Sequence, residues 1–132
     1  MSTQTTIVTG VDFVGIPTAD IERARDFYEN VLGLEASSVW QRPGQPAVGA
    51  EFETGTVTLA LINCPGLNIP FQANPAPIAL QVDDVAAARA ELESRGVTFD
   101  APDIDSGVCH MANFRDPDGN ALMLHHRYAP RT

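Results

Sequence analysis

The stretch VDFVGIPTADIERARDFYENVLGL, residues 11–34, is where the fold can be read. A short apolar run from Val11 to Ile16 leads to Asp20, then to apolar residues at helical spacing, then to a glycine. Asp20 stands as an N-cap, where a carboxylate accepts from free first-turn N–H groups. Ile21, Ala24, Phe27, Tyr28, Val31 and Leu32 give the helix one apolar stripe. Gly33 sits where a left-handed residue ends a helix. The segment predicts a strand followed by an amphipathic helix.

The pattern returns. Residues 75–97 read PAPIALQVDDVAAARAELESRGV, with Asp84 as the cap, Val85, Ala87, Ala88 and Leu92 as the stripe, and Gly96 as the stop. Asp84 lies 64 residues after Asp20, and GNALMLHH from Gly119 lies 64 residues after GTVTLALI from Gly55. Candidate strands Val48–Phe52 and Val108–Phe114 precede those glycines. Trp40–Gln45 and Asp100–Gly107 read as connecting loops, and Pro65–Pro77 as a proline-rich bridge. The expected fold is α+β: two βαβββ modules, about 7–64 and 75–128, forming a cupped mixed sheet in a single domain over 1–132. A unit of about 60 residues with one helix cannot cover its own sheet. Pairing two such units leaves a concavity, the usual seat of a small-molecule site; the alternative is a cup filled by its own side chains.

Composition narrows the partners. Of 132 residues, 44% are hydrophobic, enough for a core, and the net charge is −9. That balance, without any run of Lys or Arg, argues against nucleic acid and against anionic membranes. The longest charge-free stretch, Thr54–Val82, is broken by Pro65, Pro70, Pro75 and Pro77 and cannot be a spanning helix. Residues 1–10 lack the pattern of a secretory signal. Cys64 and Cys109 make no disulfide framework, so a cytoplasmic setting is expected.

DFVGIPTADIERARDFYENVLGL, IALQVDDVAAARAEL and FRDPDGNALML together resemble the vicinal oxygen chelate superfamily over about residues 11–127. Its members include glyoxalase I, extradiol dioxygenases, and fosfomycin and bleomycin resistance proteins. The resemblance implies paired βαβββ modules around a cup, often a divalent metal in that cup, and often a homodimer. Carried over position by position, the metal ligands fall on Phe13, Pro77, Leu59 (or Ala60, one residue away) and Met123. None of these supplies the imidazole or carboxylate that such a metal needs. No metal and no other cofactor are therefore expected. Metal-free relatives are often binders that sequester a drug.

Strand parity then suggests what lines the cup. Phe13, Leu59, Gln81, Met123 and His125 are placed there as ligand contacts, with His110 on a strand of unresolved facing. Trp40, in a loop, either stacks on a planar ligand with Phe52 and Phe71 or caps the core or a dimer contact. His110, His125 and Glu51 are the candidates for proton transfer. Glu51 and Glu53 share a strand face, which reads either as a solvated edge or as a carboxylate pair. Cys109 and His110, as adjacent strand residues, point to opposite faces and cannot form a nucleophile pair. The sequence favours a metal-independent binder of an apolar or aromatic small molecule. The alternative is a lyase, isomerase or dioxygenase-like enzyme of the same superfamily, using His/Glu acid–base chemistry or a relocated metal.

Overall fold

The computed structural model describes residues 6–130. The first module runs β1 (Phe13–Thr18), α1 (Ile21–Asp26), β2 (Glu35–Trp40), β3 (Gly49–Glu53) and β4 (Thr58–Asn63). The second runs β5 (Ile78–Gln81), α2 (Val85–Ser94), β6 (Ile104–Asp105), β7 (Cys109–Arg115) and β8 (Ala121–Arg127). Each forms a four-stranded mixed sheet, in the orders β1-β4-β3-β2 and β5-β8-β7-β6. The first and last strands of each module pair in parallel, so the chain must cross over between them, and the helix lies on that crossover.

The helix signals work as read. Asp20 accepts from the Arg23 N–H at 3.2 Å and Asp84 from the Ala87 N–H at 2.9 Å. Gly33 and Gly96 take φ of 76° and 93°, a conformation a side chain would strain. The first helix widens after Asp26 into a π turn over Phe27–Val31, closed by the Leu32 N–H on the Phe27 carbonyl at 3.0 Å. The wider turn buries the consecutive Phe27 and Tyr28 together.

Two segments expected to be loops contain strand residues. Trp40 ends strand β2 rather than opening a loop, and Asp100–Gly107 contains the short β6. Strand β2, EASSVW, is exposed along most of its length, so no apolar alternation marked it.

Each sheet has a helix-side face and an open face. Ile16, Phe52, Leu59 and Leu61 of the first sheet join Ala112, Phe114, Leu122 and Leu124 of the second in one hydrophobic cluster. The modules thus share a core through their helix-side faces. The segment DPDGN fastens them. Tyr28, with 0% exposure, donates to Asp116 Oδ2 at 2.7 Å, and Asn120 Nδ2 donates to the same oxygen at 2.9 Å. Asp116 Oδ1 accepts the N–H groups of Asp118 and Asn120, both at 2.9 Å. Asn120 also donates to the Pro17 carbonyl at 2.8 Å. Asp118, its side chain 1% exposed, accepts from the Thr18 hydroxyl at 2.6 Å, the Ala19 N–H at 3.0 Å and Arg23 at 3.2 Å. Burial first, and the Asp116 charge second, push the Tyr28 phenol far above its ordinary range, so it remains a donor.

Removing the phenol leaves a buried acceptor short of one partner. Tyr28→Phe should lower unfolding stability by about 1–3 kcal/mol. Asp116→Asn should cost at least as much, since its amide turns a donor toward other donors. Urea unfolding followed by circular dichroism measures both; an unchanged Asp116→Asn midpoint would contradict the fastening role.

Candidate functional site

The open face of the first sheet carries a small constellation. Pairing places Phe13 beside Thr58, Gly15 beside Ala60, Ala60 beside Glu51, and Trp40 beside Gly49. The Trp40 indole lies over Gly49: a Cβ there would collide with the ring and come 2.9 Å from the Leu61 carbonyl oxygen. The indole N–H donates to Glu51 Oε2 at 2.6 Å. Phe13 meets the indole edge-on, with centroids 5.6 Å apart, and is still 45% exposed. Glu53 accepts from Ser37 and Thr58 hydroxyls, both at 2.7 Å. Ser37 reaches it because β2 bulges between Ala36 and Ser38. These two bonds hold the Glu53 carboxyl below the usual carboxylate range.

The open face of the second sheet is plainer. Ala79 pairs with Met123, Gln81 with His125, Met111 with His125 and Asn113 with Met123. Gln81, Met123 and His125 therefore share one face.

Other expected site residues lie elsewhere. Phe52 and Leu59, at 1% and 3% exposure, belong to the helix-side core, and Ala60 takes the open-face position beside Gly15. His110 pairs with His126 and so faces away from His125. Its ring stacks on Tyr128 at 4.6 Å, and Nε2 lies 3.4 Å from Asp105. His126 contacts the Val82 carbonyl through Nδ1 at 3.1 Å. Glu51 and Glu53 are half-buried rather than a solvated edge. Phe71 lies in the bridge between modules, outside the Trp40 cluster.

The open faces do not fit the superfamily's metal. Phe13, Ala60 and Met123 offer no oxygen or nitrogen side-chain donor, and neither does Pro77 just before β5. Among the described residues, no three His, Cys, Asp or Glu converge as a ligand set. Nor, among them, is any helix long and apolar enough to cross a membrane.

The cavity between modules lies on the other side. It measures about 640 Å³ and is lined by Val14, Leu59, Ile78, Leu80, Gln81 and Leu124 among others. Phe13, Trp40, Met123 and His125 take no part in it.

A family model described as the Glyoxalase/Bleomycin resistance protein/Dioxygenase superfamily matches residues 10–124. The chain belongs to that superfamily, the vicinal oxygen chelate group. Its structure is similar to that of TnmS3, an antibiotic binding protein from Streptomyces sp. CB03234. Identity is 26%, covering 93% of this chain and 99% of that one, with a TM-score of 0.76. A glyoxalase/bleomycin resistance protein from the same organism is 28% identical over 89% of this chain and 100% of that one, with a TM-score of 0.69. Lactoylglutathione lyase from Agrobacterium tumefaciens shares the fold at 20% identity, covering 91% and 95% of the two chains, with a TM-score of 0.69. A comparison with curated proteins finds no match.

Gly49→Ala should displace the indole, shift the emission of Trp40 to longer wavelength and cost about 1–3 kcal/mol in unfolding stability. An unaltered emission spectrum would show that the ring does not need the glycine. Glu53 has a lowered folded pKa, so its contribution to stability is present above the unfolded carboxylate value and fades as pH falls through the folded one. Carboxyl chemical shifts by NMR should put the Glu53 midpoint below that of Glu53 in the Ser37→Ala/Thr58→Val variant. Equal midpoints would remove the two hydroxyls as the cause.

Proposed function

We propose that this chain is a metal-independent small-molecule binding protein, acting as a cytoplasmic homodimer and holding an apolar or aromatic ligand on its open sheet faces. The observation that carries the reading is the half-exposed Phe13 against a Trp40 already pinned by Glu51 and seated on Gly49. A rigid aromatic pair on an unfilled face is what a planar ligand stacks on. The antibiotic binding protein of the same fold supports a sequestering role by analogy.

The dimer is supported by the sheet edges. β1 and β5 each end their sheets with one side unpaired, and Val11 and Phe13 beside the β1 edge are exposed. Bare apolar edges invite pairing with another chain. A second copy joined there would set the first-module face of one chain beside the second-module face of the other, closing a cup from two half-sites.

Trp40 is the only tryptophan, so its fluorescence reports on the face directly. Neutral acridine, titrated in buffer containing EDTA, should quench it saturably, and light scattering should give a dimer rather than a 14.2 kDa monomer. Binding abolished by EDTA and restored by Zn²⁺ or Ni²⁺ would replace this reading with a metal-dependent one. The absence of saturable quenching would refute it.

A further inference from the structure

We propose that the open face of the second sheet holds a site for a soft monovalent cation, Cu(I), formed by the Met111 and Met123 thioethers and the His125 imidazole. The site stands on the other sheet from the Trp40 platform. The inference goes beyond the aromatic-ligand reading and does not depend on it.

Strand pairing brings the three donors together. On antiparallel β7 and β8, Met111 stands directly opposite His125, and Met123 stands opposite Asn113, two residues before His125 on the same face. Directly opposed residues have Cβ atoms about 4.5–5.5 Å apart, and diagonal neighbours lie about 7–8 Å apart. The side chains thus rise from the corners of a small triangle. Two corners are methionines, whose rotatable bonds let the sulfur swing toward a common point. All three residues are half-buried.

The donors are soft, and the imidazole is unspent. Among the described residues, His110 contacts Asp105 at 3.4 Å and His126 the Val82 carbonyl at 3.1 Å, whereas His125 has no hydrogen bond or ion pair. Thioether sulfur with neutral imidazole favours Cu(I) over hard divalent ions, which need oxygen donors. No carboxylate adjoins the triangle: Gln81 lies beside His125, Ala79 beside Met123 and Ile104 beside Met111. Cys109 shares the face but is only 6% exposed, and the Arg127 guanidinium lies 3.7 Å from its sulfur. The thiol is thus covered, while the three donors are partly open. Of the set, only Met123 stands at a position where the superfamily's ligands fall; Met111 and His125 are outside that pattern, so the donor set is a separate one.

Ag(I), an air-stable ion of the same charge and softness, is the probe. The chain has three methionines, so isotope labelling of their methyl groups gives three NMR signals, with Met1 as internal control. Silver nitrate is titrated into the full chain at neutral pH to three equivalents, one for the site and one for each of the free cysteines Cys64 and Cys109. The Met111 and Met123 methyls and the His125 ring should shift together and saturate together, with Met1 unmoved. Zn²⁺ should move none of them. The shifts should persist in Cys64→Ala/Cys109→Ala. Met111→Leu and Met123→Leu, which nearly conserve volume, should each weaken Ag(I) binding at least about tenfold, since even the outer partners of a metal site are worth about 10–100-fold. Thermal melts confirm that the variants fold, and the two leucine variants are independent routes. Methyls unmoved after three equivalents overturn the site, as does Met1 shifting in step with Met111 and Met123. So does an affinity unchanged in both leucine variants. An equal response to Zn²⁺ overturns the soft-ion assignment.

Discussion

Asp116 decides how the two modules face each other. Its two carboxylate oxygens accept four donors: the phenol of Tyr28 from the first module, and three from the DPDGN turn itself. A buried carboxylate is tolerable only when its lone pairs are met, so the turn and the first helix must come together for either to be stable. Asn120 and Asp118 extend the same requirement to Pro17, Thr18 and Ala19 at the end of β1. Once these bonds form, the helix-side faces are opposed and bury a common core. The open faces are thereby committed to the outside. Orientation of the open faces is thus a consequence of a polar latch, while the hydrophobic effect supplies the affinity between modules without fixing their angle.

Much of this architecture was legible in the sequence. The caps Asp20 and Asp84, the stops Gly33 and Gly96, and the common spacing of the halves are local signals, each backed by a backbone requirement that few residues meet. The faces were harder. In β4, Leu59, Ala60 and Leu61 are all buried, so the run has no alternation to show which residue looks outward. The expectation is Leu59 or, one residue away, Ala60, and pairing with β1 puts Ala60 on the open face. In β7, His110 has apolar neighbours on both sides, and only its pairing with His126 settles its direction. Strand β2 was missed because its exposed residues look like a loop, and Trp40 went with it. DPDGN reads as a turn from its residue types; that its carboxylates and amide are spent on the other module is long-range information no local pattern holds.

The chemistry of the open face follows from the side chains that strand pairing puts there. Phe13 and Ala60 offer no oxygen or nitrogen side-chain donor, and the carboxylates of the same face, Glu51 and Glu53, stand on β3. Their neutral partners matter. A carboxylate paired with arginine would be a closed unit, whereas one oriented by an indole or a hydroxyl keeps its field available. The bulge in β2 is part of this arrangement, because it alone brings Ser37 within reach of Glu53.

The Trp40 platform is also rigid. An exposed tryptophan side chain normally samples several rotamers, and ordering it on binding costs about 0.5–1.5 kcal/mol. Here the ordering precedes any ligand. Gly49 gives the indole a floor against the backbone, Glu51 fixes its nitrogen, and Phe13 bounds its edge. A ligand meeting this surface therefore loses its own freedom without paying for that of Trp40. The glycine, the carboxylate and the phenylalanine are each placed by strand pairing within one sheet, so the platform exists in the single chain. What a second copy would add is the opposite wall, and with it the exclusion of water that makes the fields of Glu51 and Glu53 stronger.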